Sequence, residues 1–168
     1  DSALLIDETS FVKKGKKSVG VARQYCGRTG KVDNCQVAVF AALSAGDKSL
    51  PIDFRLYLPK EWTEDAPRCL AAGIPAEEIK LKTKCQLAIE MVKAAKENGV
   101  QFQWVGADAG YGKDPGFLGD LIELGVTFVV DVHKSQLFHF DDLSGTGIKG
   151  MTVEKWVSVQ SKDAWKAI

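Results

Sequence analysis

The chain has 168 residues, 45% of them hydrophobic and 26% charged, and its 22 basic and 22 acidic side chains cancel to a formal net charge of zero. That suffices for one globular domain with a sizeable core; the neutral balance and ordinary Gly and Pro content exclude a histone-like protein, an acidic tail and a collagen-like or disordered chain. A nucleic-acid binder whose charge is local is not excluded. No run approaches the roughly 18 apolar residues of a membrane span and no basic-then-apolar leader opens the chain, so a soluble cytoplasmic protein is expected.

Ala3-Leu4-Leu5-Ile6 reads as a short buried strand that delivers Asp7 and Glu8 at its C-terminal end. After the loop Lys13-Lys14-Gly15-Lys16-Lys17, the chain is rich in Val, Ala, Tyr and Phe without helical spacing, and two antiparallel strands are predicted at 19–27 and 32–45, around Gly27-Arg28-Thr29-Gly30. Leu50 to Leu58 alternates as a further strand or extension. Helical spacing begins around Glu77 and runs clearly from Thr83 to Asn98, closed by Gly99. A strand from Phe102 to Ala107 ends at Asp108, followed by the loop Ala109-Gly110-Tyr111-Gly112, a short helix from Pro115 to Leu124, and a strand from Thr127 to Val132 that reaches His133 and Lys134. Thr152 to Val159 has the composition of another strand.

This order, three antiparallel strands followed by helix, strand, helix, strand, predicts an α/β fold with a ribonuclease H-like mixed sheet. Its first strand is central and the strand ending at Asp108 lies parallel beside it. Neighbouring strands sit about 4.8 Å apart, so Asp7 and Asp108 can share a metal site. Two-metal phosphoryl transfer needs such acids, because two cations about 3.5 to 4 Å apart must stabilise the attacking and leaving oxygens together. Against this stands the reading of each Asp as a solvated turn residue. Glu8 should point to the opposite face from Asp7, solvated or supporting the site from behind.

The neutral total hides a local bias. Between Val12 and Val32 stand Lys13, Lys14, Lys16, Lys17, Arg23, Arg28 and Lys31, with no acid. A basic loop beside the Asp7 strand suits a phosphate backbone, although a lysine-rich solvated hairpin has the same composition. The glycines around Tyr111 miss the dinucleotide-binding spacing and more simply let the chain turn beside Asp108, leaving Tyr111 packed on the sheet edge or facing nucleic acid. His133 and Lys134 fall near the site and could contact phosphate, while a purely structural His is the simpler reading. Cys26, Cys35, Cys69 and Cys85 lack zinc or redox spacing and read as reduced thiols, with a Cys26–Cys35 disulfide across the hairpin as the lesser alternative.

Leu5-Ile6-Asp7-Glu8-Thr9-Ser10-Phe11 with Lys13-Lys14-Gly15, the run Val19-Gly20-Val21-Ala22-Arg23-Gln24-Tyr25, and Ala107-Asp108-Ala109-Gly110-Tyr111-Gly112 resemble the catalytic domain of bacterial insertion-sequence transposases of the Asp-Asp-Glu class. The resemblance runs from about Leu4 to Lys134. It implies that Asp7 and Asp108 are the first and second catalytic carboxylates and bind Mg²⁺ or Mn²⁺. It further implies hydrolysis and strand transfer on double-stranded DNA at transposon ends, a homo-oligomer in the active complex, and a nucleoid-associated protein. The basic residues Lys13, Lys14, Lys16, Lys17 and Arg23 would contact the DNA, with Glu8, Tyr111, His133 and Lys134 as supporting residues. The class also carries a third acid, a Glu on a helix among Tyr, Arg and Lys. No such stretch occurs here, and Glu154 lacks that context. The expected division is therefore a catalytic core over 1–136 and the start of an inserted or connecting segment over 137–168, with the third acid beyond Ile168. A non-catalytic DNA-binding module is the alternative, and a signalling receiver domain a more distant one, since it requires a helix directly after the first strand.

Overall fold

In the computed structural model, residues 2–138 and 150–161 are described. The chain forms two compact units, residues 1–130 and residues 131–168. The first is built on a six-stranded mixed sheet in the order β2-β3-β1-β5-β6, with β4 also paired to β3. Its strands are β1 (Ser2–Val12), β2 (Ala22–Cys26), β3 (Lys31–Ala45), β4 (Lys48–Leu56), β5 (Trp104–Ala107) and β6 (Phe128–Val130). β1 is antiparallel to β3 and parallel to β5, which is parallel to β6.

Strand alternation decides what each face does. Leu4 and Ile6 of β1, Val39 and Ala41 of β3 and Val105 of β5 turn to one face and are buried. There they pack on Leu87, Ala88, Met91, Val92 and Ala95 of α3 (Lys84–Glu97) and on Phe117 and Leu121 of α5 (Pro115–Glu123). α3 starts at a reciprocal cap, in which the Thr83 hydroxyl accepts from the Gln86 N–H and the Gln86 side chain accepts from the Thr83 N–H. It ends where Gly99 takes φ +72°, a conformation that needs no Cβ. Truncating Leu87, Met91 or Leu121 to Ala would cost about 2–5 kcal/mol.

Several sequence expectations change. β1 runs on to Val12 rather than stopping at Ile6, because its polar second half is held by pairing with β3 as far as Val12–Cys35. Residues 48–56 form a full strand, so four strands rather than three form the antiparallel part. Two helices come earlier than the periodicity indicates: α1 (Lys60–Thr63) and α2 (Ala66–Ala71). They are anchored by the buried Trp62, whose Nε1 donates to the Val21 carbonyl at 2.8 Å and whose ring lies 3.8 Å below the Arg68 guanidinium carbon. A 3₁₀ turn follows at Ala76–Glu78. Ala109–Gly112, expected as a loop, is a one-turn helix, α4. The four cysteines are free; register sets Cys26 opposite Lys31 and Cys35 opposite Ala22, so the two are not cross-strand partners.

In the second unit a two-stranded ribbon pairs β7 (Leu137–Phe138) with β8 (Met151–Thr152), and α6 (Val153–Ser158) follows. The strand expected over 152–159 is thus mostly helix, because the Thr152 hydroxyl caps it by accepting from the Lys155 N–H at 3.2 Å. No helix among the described residues is long and apolar enough to cross a membrane. His139, which the sequence places among aromatic residues, lies outside the described residues.

Candidate active site

The parallel register brings the two aspartates together. β1 and β5 pair from Ala3–Trp104 to Ile6–Ala107, so Asp7 and Asp108 occupy the next matching positions, where β5 turns away into α4. They also share a face. A Cβ built on Gly106 would meet Leu5 Cδ2 at 2.8 Å and the Trp104 ring at 2.9 Å, which puts Leu5, Trp104 and residue 106 on one side of the sheet. Two residues further along each strand, Asp7 and Asp108 continue that side. Asp7 is therefore a mid-strand residue that stands where β1 loses its parallel neighbour.

Both carboxylates are exposed and oriented by backbone donors. The Glu8 N–H donates to Asp7 Oδ1 at 2.7 Å, and the Gly110 N–H donates to Asp108 Oδ1 at 2.8 Å. Neither carboxylate forms an ion pair among the described residues, so each keeps Oδ2 available. Glu8, on the other face of β1, is half-buried and paired: its Oε1 lies 2.6 Å from Lys84 Nζ at the start of α3. Lys84 in turn lies 5.9 Å from the Tyr57 ring centre. Tyr111 is buried against Phe117, with ring centres 5.6 Å apart, which rules out a side chain facing nucleic acid. Glu8, Tyr25, Lys84, Cys85, Asp108, Gly110, Tyr111 and Lys113 line a cleft of about 390 Å³ at the end of β5.

Against this geometry, residues 1–145 match the family model described as DDE superfamily endonuclease. The chain belongs to the DDE superfamily endonucleases. It is 35% identical over 133 residues to a protein of Microchaete diplosiphon named "Probable transposase for insertion sequence element IS701"; the match covers 79% of this chain and 32% of that protein. The chain thus spans about a third of the length of the curated relative it matches. No solved structure matches it. Enzymes of this superfamily generally use divalent metal ions. Among the described residues of this DDE chain, however, no group of three or more His, Cys, Asp or Glu side chains gathers as a ready metal cage.

The basic segment of this DDE chain is a shaped loop. The Asn34 side chain donates to the carbonyls of Lys13 at 2.6 Å and Gly15 at 3.0 Å, and Arg68 donates to the Lys16 carbonyl at 2.8 Å. Lys14, Lys16, Lys17 and Arg23 are exposed and Lys13 is half-buried, with no ion pair to any of them among the described residues. At about 3.3 Å per strand residue, Lys13 stands about 20 Å along the chain from Asp7. His133 and Lys134 do not end a strand as expected, because β6 stops at Val130 and both belong to the second unit. There His133 Nδ1 lies 2.6 Å from Ser135 Oγ, and Lys134 pairs with Glu154 at 3.3 Å. Sequence reading missed Lys84. Its only signal was its place as the first residue of a capped helix, and the Glu8 partner is remote in the chain.

Proposed function

We propose that this chain is a catalytic-core fragment of an insertion-sequence transposase, that the full-length protein carries out metal-dependent phosphodiester hydrolysis and strand transfer on double-stranded DNA at transposon ends, and that the fragment, lacking the third acid, is inactive on its own. The observation that carries the reading is the matched register and shared face of Asp7 and Asp108 on adjacent parallel strands. The sheet order, with β1 between antiparallel β3 and parallel β5, supports a ribonuclease H-like arrangement. Residues 1–136 are read as the core and 137–168 as the start of an inserted or connecting segment. The protein is read as acting as a homo-oligomer in the bacterial cytoplasm, associated with the nucleoid.

The donor set fits a hard divalent cation. Each aspartate offers an oxygen that is neither ion-paired nor held by a backbone N–H, and Mg²⁺ and Mn²⁺ prefer carboxylate oxygen. Asp7 and Asp108 would hold the metal, with a further carboxylate from outside the described residues. When bound, the metal supplies an activated water or 3′-hydroxyl and neutralises charge on the phosphate. The chain's own residues orient the donors: backbone N–H groups fix both aspartates, and the Glu8–Lys84 pair ties β1 to the start of α3. Lys13, Lys14, Lys16, Lys17 and Arg23 provide the DNA-contacting surface, whose affinity grows with each phosphate neutralised. Calorimetric Mn²⁺ titration tests the reading: the parent chain should bind and Asp108→Ala should not. Indistinguishable isotherms would remove the metal site.

A further inference from the structure

We propose that Arg68 is a further phosphate-contacting residue of the DNA interface: held ready by Trp62 and the Lys16 backbone, its guanidinium joins Lys16 and Lys17 in a notch that takes one backbone phosphate of duplex DNA. This rests on the reading of the basic loop as the DNA-contacting surface and adds to it a residue from outside the loop.

Lys16, Lys17, Trp62, Arg68, Ala71 and Ala72 line an open notch of about 280 Å³ where α2 meets the basic loop. Its lining thus carries three cations and no acid. The guanidinium is fixed by two contacts: its carbon lies 3.8 Å from the Trp62 ring centre, and Nη2 donates to the Lys16 carbonyl at 2.8 Å. Trp62 is itself immobilised, buried and bonded through Nε1 to the Val21 carbonyl. An arginine already stacked on a ring loses less freedom on meeting an anion than an exposed lysine does. Both contacts leave work for the rest of the fork. Arg68 Nε and Nη1 bond to no described residue, and no described acid pairs with the guanidinium. Asp65, close by in the chain, is spent on the cap of α2, where its Oδ1 accepts from the Arg68 backbone N–H at 3.1 Å. A planar fork with unpaired donors matches the oxygens of a phosphate, and the two lysines add charge beside it. The occupant is the DNA backbone rather than a free anion because the notch is continuous with the loop: Lys16 supplies both the carbonyl that holds Arg68 and part of the notch lining.

Binding of a labelled mixed-sequence DNA duplex across a salt series tests the inference on the parent chain, Arg68→Gln, Arg68→Lys, and a variant with Lys13, Lys14, Lys16 and Lys17 all changed to Gln. Arg68→Gln should reduce the slope of log affinity against log salt by about 0.9, the value of one phosphate contact. Arg68→Lys keeps the charge but not the fork, so it should keep the parent slope and bind more weakly. A parent-like slope in Arg68→Gln, while the lysine variant's slope has fallen, would overturn the role of Arg68 and leave the loop as the interface. An equal reduction in Arg68→Lys and Arg68→Gln, or a reduction of about 1.8 or more in Arg68→Gln, would show that Arg68 only shapes the loop and overturn the inference. A parent-like slope in the lysine variant, or no salt-dependent binding by the parent, would remove the DNA surface itself and the inference with it.

Discussion

Gly110→Ala should separate metal binding from stability. A Cβ at position 110 would stand 2.9 Å from Asp108 Oδ1, the oxygen to which the Gly110 N–H donates at 2.8 Å. Gly110 does not have positive φ, so Ala is free to keep the helical backbone, and the group that must yield is the Asp108 carboxylate. Rotating that side chain away breaks the cap of α4, a loss of about 1 kcal/mol. Replacing Gly by Ala within a helical turn returns about 0.5–1 kcal/mol. The two nearly cancel, and in a domain of this size the thermal midpoint should move by no more than about 3 °C. The metal site has no such compensation: with Asp108 turned from its register position, Mn²⁺ affinity should fall about tenfold or more. Calorimetric titration beside a melting curve reads both quantities. Parent-like Mn²⁺ affinity would refute the claim that the Gly110 contact sets the Asp108 ligand geometry, and a midpoint lowered by about 10 °C would show that residue 110 acts on the fold.

Three further outcomes can be checked directly. Neutralising Lys13, Lys14, Lys16 and Lys17 to Gln should weaken duplex DNA binding and reduce the slope of log affinity against log salt by about 0.9 for each lysine that touches a phosphate; an unchanged slope would remove the loop from the interface. Trp62→Phe deletes the bond from Nε1 to the Val21 carbonyl and leaves that buried acceptor unpaired, so chemical denaturation should show a loss of about 1–3 kcal/mol, and none if α1 and α2 only decorate the sheet. Burial pushes the thiols of Cys35 and Cys85 from 9.0 up to about 11. The unfolded chain therefore loses these protons first, and the stability they contribute is complete below pH 9 and disappears as pH rises through about 11. A Cys35→Ala, Cys85→Ala double variant should show a flatter urea midpoint between those limits, and an equally steep decline would contradict the assignment.

The elements legible in the sequence are those whose signals are local. α3 announced itself by apolar spacing with Thr83 and Asn98-Gly99 at its ends, and α5 by Pro115 and Gly125. α1 and α2 have four and six residues, too few for a helical period to register, and their stability comes from Trp62 meeting the remote Val21. The second half of β1 is polar, so only its pairing with β3 makes it a strand. At α6, β-branched composition pointed to a strand while a single capping hydroxyl at Thr152 gave the opposite result. In the candidate site, the Asp7–Asp108 juxtaposition followed from strand order alone. The Glu8–Lys84 pair and the enclosure of Tyr111 depend on how α3 and α4 settle on the strand ends, which no local pattern encodes.

The central claim is that Asp7 and Asp108 serve one metal site, and a double-mutant cycle on Mn²⁺ affinity tests it most directly. Asp7→Asn and Asp108→Asn should each weaken binding, and the double variant should be little weaker than the worse single variant, because either change alone dismantles the shared site. Losses that simply add, or binding indifferent to one of the two aspartates, would contradict the shared site.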